Sequence, residues 1–398
     1  MPATSVQPQS LAFTLVYATG TTITFSAVSS APTPIYRLYQ EGLGLTPLEI
    51  TLIFAIYTLT MIATFLTIAR LSDFVGRKPM IFAALALNAL ALALFLAAGS
   101  AQVLMAARAA QGVATGIALA TLGATIADTA PKAAATLNSV TAFIGLTAGS
   151  LLAGALVAYA PWPTQLTYAL LLAVTIVEMG ALVFIRETAP RKIGGWGALR
   201  PNLTVPPAAI GAMMRLFPLT LSAWALGGFY LSLMPSLVIA ATGVRSPLLG
   251  AAVVSALMLT GGLSVFAFRS LAAARAVRAS ALLLAIGIIM TVFAIRAGSA
   301  VGMVSGTVIA GFGFGGSYGA ALRTLLPLAA NHERAGLLSA YFVVSYLAFA
   351  LPAVVAGLAA PHFGLVATSL VYGSVLALCA LATLVIETFF TRAAAALS

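Results

Sequence analysis

The chain carries few residues that could do chemistry, because 62% of its side chains are hydrophobic and 7% are charged. The densest group of charges is RLSDFVGRK at residues 70–78, where Asp73 is followed by Gly76, Arg77 and Lys78. A carboxylate at this spacing can pair with basic groups and helix ends, and a glycine permits a tight turn between them. This group therefore predicts a loop whose contacts hold one conformation of the molecule.

Three further polar residues, Arg108, Gln111 and Glu178, lie inside long apolar stretches. An arginine at a bilayer centre costs roughly 2.5–3.5 kcal/mol on insertion scales, so one that is retained there usually faces protein or a water-filled cavity. Gln111 lies one turn from Arg108 on the same helix face. Snorkelling to the outer surface is the alternative for Arg108. Glu178 is a candidate for proton coupling, with contact to lipid headgroups or to a neighbouring polar side chain as its alternative.

Membrane-spanning helices must position these residues. The mean hydropathy is +1.10, and apolar runs of about 20 residues, enough to cross a hydrocarbon layer of about 30 Å, recur along the chain. The runs do not alternate in polarity, so a β-barrel is a poor fit. We predict an all-α membrane protein with twelve spans. The predicted spans lie near residues 10–36, 47–70, 79–99, 101–127, 134–160, 163–186, 212–241, 247–268, 279–297, 300–322, 335–360 and 363–386.

The basic residues predict the orientation of these spans, because cytoplasmic loops carry an excess of Lys and Arg. With a cytoplasmic N-terminus, fifteen basic residues fall in inner loops, three fall in outer loops, and Arg108 remains inside a span. Both termini are then cytoplasmic, and topology explains the net charge of +11 without a nucleic-acid partner. The inner residues are Arg70, Arg77, Lys78, Lys132, Arg186, Arg191, Lys192, Arg200, Arg215, Arg269, Arg275, Arg278, Arg323, Arg334 and Arg392, and the outer ones are Arg37, Arg245 and Arg296.

The longest polar segment divides the chain into two parts of six spans. Its prolines and glycines predict a cytoplasmic linker at 187–210 with little regular structure, or a short amphipathic helix on the membrane surface. The bundles are predicted at 1–186 and 211–398. The two halves match at an offset of about 200 residues, either as an internal repeat or by chance. The matches pair Pro34 and Pro47 with Pro235 and Pro247, Gly112 and Gly116 with Gly311 and Gly315, and Ala160-Pro161 with Ala360-Pro361.

The charged loop after the second span resembles the signature loop of the major facilitator superfamily of secondary transporters. The chain keeps the Asp-x-x-Gly-Arg-Lys pattern, with Ala69 where the family usually has Gly and Phe74 where it usually has a basic residue. The resemblance implies two pseudo-symmetric six-helix bundles around a central cavity. It also implies that Asp128 pairs with Arg77 or Lys78 across the loop. The corresponding loop of the second half, RSLAAARAVR at 269–278, keeps three arginines and has no acid.

Two further motifs resemble the same family. RAAQGVATG in the fourth span resembles its Arg-x-x-Gln-Gly motif, which implies a role for Arg108 and Gln111 in handling substrate or protons. The fifth span partly matches the glycine-rich motif of drug–proton antiporters, and GFGFGGSYG in the tenth span is permissive of bending. Close helix packing is the alternative for all these small residues. The hinge or packing candidates are Gly112, Gly116, Gly145, Gly149, Gly154, Gly313 and Gly315.

The resembled fold lines its cavity with spans 1, 4, 7 and 10, helped by spans 2, 5, 8 and 11. The polar and aromatic residues expected there are mostly uncharged, and Arg108 is the only embedded cation. An amphipathic or weakly anionic solute fits such a lining better than a sugar or a phosphate ester. The candidate lining residues are Thr24, Tyr57, Asn138, Trp224, Tyr230, Ser317, Tyr318, Tyr341 and Tyr346.

Signatures of enzymes and metal sites are missing from the sequence. There is no GxxxxGK[ST] loop and no HExxH motif, and Cys379 is the sole cysteine. We therefore predict a protein that is not an enzyme and needs no cofactor or metal. Its energy would come from an ion gradient or from the gradient of the solute itself.

The leading hypothesis is a monomeric transporter of the bacterial inner membrane that exports a drug-like or amphipathic metabolite in exchange for protons, by alternating access. Uptake of a small organic acid or nutrient, anchored by Arg108, is the alternative within transport. A non-transporting membrane sensor or scaffold that keeps the fold is the alternative from another class. The charged loop and the embedded arginine argue against a scaffold, which needs neither.

Overall fold

A computed structural model describes residues 8–68, 71–189, 203–330 and 332–396, with side chains from 11 to 390. Throughout these ranges the regular secondary structure is helical. Predictions that involve Ala69, Arg70, Arg191, Lys192 or Arg200 concern positions outside the described residues, as do predictions for the side chain of Arg392.

Within the described residues, twelve helical segments are long and apolar enough to cross a membrane, which confirms the predicted number. We call them spans 1 to 12. Spans 1 and 7 each consist of two helices, and a short helix, Ser72–Val75, precedes span 3. In order, the spans are Pro8–Ser30 with Pro32–Leu43, Pro47–Thr67, Arg77–Leu96, Ala101–Thr129, Ala134–Tyr159, Leu166–Ala181, Pro207–Ser232 with Met234–Thr242, Pro247–Ala267, Ala273–Arg296, Ala300–Leu325, Arg334–Phe363 and Leu365–Ala396.

Prolines and capping side chains set where several spans begin. Pro47 and Pro247 occupy the first turns of spans 2 and 8, where a missing N–H is tolerated. Thr46 and Glu49 form a capping box, in which the Glu49 N–H donates to Thr46 Oγ1 and the Thr46 N–H donates to the Glu49 carboxylate. Span 7 was predicted to begin near residue 212. It begins earlier, at Pro207, because proline favours a first helical turn. The last residues of the predicted linker are therefore helical.

The helix breaks support an internal repeat. Spans 1 and 7 are each interrupted near the predicted outer end, and their second helices, Pro32–Leu43 and Met234–Thr242, both have proline in the first turn. Each of these helices ends at a glycine in the left-handed region, with φ of 68° and 72°. The third predicted match differs between the halves, since Pro161 follows the end of span 5 whereas Pro361 lies inside span 11.

Two matched glycines occupy equivalent places in the halves. A Cβ on Gly112 of span 4 would meet the hydroxyl of Thr60 in span 2. A Cβ on Gly311 of span 10 would meet the hydroxyl of Thr260 in span 8. Spans 4 and 10 therefore pack on spans 2 and 8 through the same glycine–threonine contact, about 200 residues apart, as an internal repeat requires.

The halves meet along spans 2 and 11 and along spans 5 and 8. We call this boundary between the halves the seam. At its predicted outer end the halves are in close contact, because a Cβ on Gly154 would collide with Ala251 and hydrogen bonds join the halves. Those bonds run from Thr33 Oγ1 to the Leu231 carbonyl (2.8 Å), from Ser236 Oγ to Gln40 Oε1 (2.8 Å) and from Ser150 Oγ to the Ala251 carbonyl (3.4 Å).

Candidate functional site

Arg108 is fully buried in span 4, with 0% of its surface exposed, and neutral oxygen atoms hold its guanidinium. Nε donates to the Tyr36 hydroxyl at 2.8 Å, and Nη2 donates to the same oxygen. Nη1 donates to the Ser29 carbonyl at 3.1 Å and to Gln111 Oε1. Gln111 Nε2 in turn donates to the Val28 carbonyl at 2.8 Å. The spacing of Arg108 and Gln111 thus brings both side chains onto span 1.

Aromatic rings complete the surroundings of Arg108. The ring centroids of Tyr57, Tyr36 and Phe95 lie 5.2, 5.4 and 5.8 Å from its Cζ atom. Contacts of this kind with a desolvated cation stabilise it by about 2 kcal/mol or more. In the part of the chain with described side chains, the ion pairs involve other residues. The site is therefore a buried positive charge that rings and neutral oxygens hold without an acid.

Tyr57 connects this site to the seam between the halves. Its hydroxyl donates to Ser29 Oγ at 3.0 Å, beside the arginine. Phe54 lies three residues earlier on the same face of span 2, and its ring contacts Phe349 of span 11 with centroids 5.1 Å apart. One face of span 2 therefore carries both a neighbour of Arg108 and a member of a larger aromatic group.

This group, which we call the seam cluster, contains eight rings from spans 2, 7, 10 and 11. Its neighbouring centroids lie 4.9 to 6.4 Å apart, a separation at which rings attract beyond simple burial. Trp224, Tyr318 and Tyr346 are half-buried. The members are Phe54, Phe65, Trp224, Tyr318, Tyr341, Phe342, Tyr346 and Phe349.

Glu178 lies between spans 6 and 1. Its Oε1 accepts a hydrogen bond from Thr24 Oγ1 at 2.7 Å, and the Tyr17 hydroxyl donates to its backbone carbonyl at 3.0 Å. None of the ion pairs among the described side chains includes it. The alternatives to proton coupling for Glu178 were contact with lipid headgroups and contact with a neighbouring polar side chain. The structure shows the second contact. Thr24, a predicted cavity residue, faces span 6 as a result.

The charged loop ties together spans 3 and 4. Arg77 Nη1 lies 2.6 Å from Asp73 Oδ1, and Arg77 Nε lies 3.2 Å from Asp128 Oδ2. Thr188 Oγ1 donates to the same Asp128 oxygen at 2.8 Å. Gly76 has a φ of 107°, which only glycine adopts readily, and it allows the chain to turn into span 3. The pair implied by the family resemblance is therefore present with Arg77 as the basic partner.

Sequence reasoning missed Glu187 as a member of this loop. Its carboxylate accepts the backbone N–H of Arg77 at 2.6 Å and of Lys78 at 3.0 Å, and so caps the first turn of span 3. Lys78 Nζ donates to the carbonyls of Val183 (3.2 Å) and Ile185 (2.9 Å), beyond span 6. The one available signal was a charged residue directly after a span. The end of the first half and the charged loop form a single unit.

The other predicted cavity residues are distributed over both halves. Tyr230 is buried between spans 7 and 10, where its hydroxyl shares a hydrogen bond of 2.7 Å with Thr307, so it packs inside the second half. Asn138 Nδ2 donates to the Gly123 carbonyl at 3.4 Å. Ser317 donates to a carbonyl three residues earlier in its own helix. Four candidates meet in the seam cluster: Trp224, Tyr318, Tyr341 and Tyr346.

All seven candidate glycines lie at helix contacts, where a Cβ would meet a neighbouring span. Span 10 continues from Ala300 to Leu325 through its glycine run without a break. Close packing thus accounts for these positions, and a hinge at the glycine run stays a prediction. The neighbours are span 2 for Gly112 and Gly116, span 1 for Gly145 and Gly149, span 8 for Gly154 and Gly315, and span 9 for Gly313.

Comparisons with known proteins agree with this architecture. A family model, the Major Facilitator Superfamily, matches residues 14–353. No curated protein sequence matches the chain. A crystal structure of a bacterial homolog of the human lysosomal transporter Spinster, in an inward-facing and unoccupied conformation, is similar with a TM-score of 0.76 and 16% identity, over 98% of this chain and 99% of that one. The nucleoside transporter NupG, in a mutant form, is similar with a TM-score of 0.74 and 11% identity, over 94% and 99%.

At these identities the two structures establish the fold alone, and the family assignment rests on the sequence match over most of the chain. Both findings confirm the predicted fold class, and membership of a transporter family agrees with the prediction that the chain is not an enzyme. With twelve apolar spans, the chain is an integral multi-pass membrane protein that moves a small solute. It belongs to the Major Facilitator Superfamily of secondary transporters.

Proposed function

We propose that the transporter exports an amphipathic solute with an aromatic ring and a weakly acidic group, in exchange for protons. The solute would enter between the halves from the predicted cytoplasmic end. Its ring would lie against the seam cluster and its acidic group would point toward Arg108. Rocking of the halves about this site would then expose the solute to the outside, as in alternating access.

The observation that carries this proposal is that one face of span 2 contributes Tyr57 to the surroundings of Arg108 and Phe54 to the seam cluster. Half-buried rings offer contacts to an aromatic solute that are worth about 0.5–1.5 kcal/mol each beyond burial. Arg108 has no acidic partner among the described side chains, so its positive charge favours an anionic group nearby. A sugar would find few amide or carboxylate groups to bind here.

Glu178 is our candidate for proton coupling. It lies within span 6, and an ionisable side chain inside a span is by default a functional candidate. Its position between spans 1 and 6 separates it from the seam cluster, so protonation would act on the solute through span 1. Span 1 also supplies the Ser29 carbonyl that binds Arg108, which gives a physical path between the two sites.

The contacts that close the predicted outer end support entry of the solute from the predicted cytoplasmic end. For the cellular setting we retain the prediction of a monomer in the bacterial inner membrane, with both termini cytoplasmic. The excess of basic residues in the predicted inner loops supports that orientation.

Reconstitution of the purified protein in liposomes that hold a pH-sensitive dye tests the proposal. Aromatic acids, aromatic amines and sugars are added in turn, and proton movement is recorded. We expect aromatic acids to drive protons in the direction opposite to the solute. Trp224→Leu should weaken the response, whereas Trp162→Leu, which alters an exposed ring on a loop, should not. A response to sugars alone would contradict the proposal.

Uptake of a small organic acid is the second candidate, and the unneutralised charge of Arg108 favours it. The same liposomes distinguish the two functions, because uptake by symport moves protons in the direction of the solute. Acids without an aromatic ring would then be transported as well as those with one, and Trp224→Leu would have little effect.

A further inference from the structure

The loop between spans 8 and 9 and the first turns of span 9 present a group of arginines that no acid neutralises within the described residues. Arg269 and Arg275 are exposed, and Arg278 is half-buried. The ion pairs among the described side chains all lie in the first half. The second half contains only two acids in its sequence, Glu333 and Glu387. We call Arg269, Arg275 and Arg278 the basic patch.

The equivalent loop of the first half uses its basic residues differently. Arg77 is buried and pairs with Asp73 and Asp128. Lys78 donates to two carbonyls at the end of span 6. These cations are therefore bound to the protein, whereas those of the basic patch remain available to a partner. Topology alone does not account for this difference, because both loops satisfy the charge rule equally well.

The protein holds the loop of the basic patch in a fixed position. Arg323, at the end of span 10, donates from Nη1 to the carbonyls of Phe268 (3.1 Å) and Leu271 (2.9 Å). The Phe268 ring also packs against Gly316, where a Cβ would collide with it. Arg269 thus lies on an ordered turn and the other two arginines lie on a helix, so little backbone entropy remains to be lost when a partner binds.

The surface next to the basic patch carries exposed apolar side chains. Phe266 and Leu263 at the end of span 8 are 46% and 48% exposed, and Leu282 in span 9 is 47% exposed. Leu282 lies seven residues from Arg275, about 10 Å along the helix. This step from exposed apolar side chains to exposed guanidinium groups is the arrangement expected where acyl chains give way to headgroups.

We propose that the basic patch binds the phosphate of an anionic phospholipid headgroup in the leaflet that contains it. Guanidinium groups match phosphate geometry with paired hydrogen bonds, and the adjacent apolar side chains would contact the acyl chains. Each basic residue near an anionic surface strengthens binding about fivefold. Loss of two arginines should therefore weaken binding about 25-fold.

Native mass spectrometry of the purified full chain tests this assignment, with phosphatidylglycerol and phosphatidylcholine titrated separately. We expect phosphatidylglycerol to be retained in preference, and the double variant R269Q/R275Q to lose that preference by about 25-fold. The matched control is R245Q/R296Q, which removes two exposed arginines from the predicted outer face. It should bind as the unaltered protein does. R269K/R275K, which keeps the charge but cannot form the paired guanidinium–phosphate hydrogen bonds, should bind less tightly than the unaltered protein and more tightly than R269Q/R275Q.

Three results would overturn the proposal. Equal losses in R269Q/R275Q and R245Q/R296Q would indicate a general effect of charge. Unchanged lipid retention in R269Q/R275Q would place the lipid elsewhere. Complete competition by millimolar inorganic phosphate would indicate a site for a free anion instead of a lipid. Monodisperse elution of each variant checks that it is folded.

Discussion

At the scale of single residues, the buried guanidinium of Arg108 sets most of what this transporter can recognise. A cation with no exposed surface must be stabilised by its neighbours, and here these are a phenol, an amide, a carbonyl and three ring faces. All are neutral. The positive charge is consequently balanced by dipoles alone, and it acts on any group that enters the cleft.

Replacement of Arg108 should therefore reduce transport without unfolding the protein. Hydrogen bonds to a charged group are worth about 1.5–3 kcal/mol, so Arg108→Gln is expected to slow solute movement by about 10- to 100-fold. Arg108→Lys keeps the charge but lacks the planar guanidinium that donates four hydrogen bonds to Tyr36, Ser29 and Gln111, and it should not restore the rate. Initial rates in liposomes measure both. Normal transport by Arg108→Gln would remove Arg108 from the mechanism.

Glu178 gives a second prediction at this scale. Glu178→Gln keeps the hydrogen bond from Thr24 but cannot exchange a proton, so we expect transport to lose its dependence on a pH gradient. Rates measured with and without the gradient test this. Glu41→Gln, which removes an exposed acid that pairs with Arg37, is the control and should keep the dependence. Solute-driven proton flux that persists in Glu178→Gln would eliminate this acid.

At the scale of helices, the cap that Glu187 places on span 3 links the end of the first half to the charged loop. Glu187→Ala leaves the N–H groups of Arg77 and Lys78 without this acceptor, and we expect a loss of about 1–2 kcal/mol of stability. Glu41→Ala breaks an exposed ion pair, which contributes less than about 1 kcal/mol. Thermal unfolding in detergent compares them. Equal midpoints would mean that the cap contributes nothing to stability.

Glycine contacts give another prediction at this scale. Gly149→Ala would force a Cβ into the Ala27 carbonyl of span 1, and overpacking of this kind costs about 1–3 kcal/mol. Gly20→Ala is the matched change, because nothing lies within 4 Å of its Cβ position. It should be neutral or slightly stabilising. A fall in the unfolding midpoint for Gly20→Ala alone would show that packing does not control these positions.

At the scale of the whole molecule, hydropathy and basic residues predicted the span number, and spacing along one helix predicted that Arg108 meets Gln111. Both signals are local. Half of the seam cluster was expected in the cavity through the family resemblance, namely Trp224, Tyr318, Tyr341 and Tyr346. Its four phenylalanines were not predicted, because they come from spans 2 and 11 and meet the other rings only when the halves pack. Glu187 was missed for the same reason, since about 110 residues separate it from the N–H groups that it caps. Local patterns say nothing about such contacts.

The repeat also has an unequal distribution of charge. Thr307 stands in the second half where Arg108 stands in the first, at the same offset that pairs Gly311 with Gly112. A rocking motion would therefore move the embedded charge of Arg108 with the first half. The second half would move no charge at the matching position. A charge that crosses the full membrane gains about 2.3 kcal/mol per 100 mV, and a partial displacement gains a fraction of that.

The cycle should accordingly be electrogenic even when no solute is bound. Proteoliposomes on a solid-supported membrane should give a transient current when the halves are driven between states by a voltage step. Arg108→Gln is expected to reduce this current, while Arg245→Gln, on the predicted outer surface, leaves it unchanged. Identical currents in the unaltered protein, Arg108→Gln and Arg245→Gln would mean that Arg108 does not move through the electric field. Otherwise the membrane potential itself selects which side of the transporter is open.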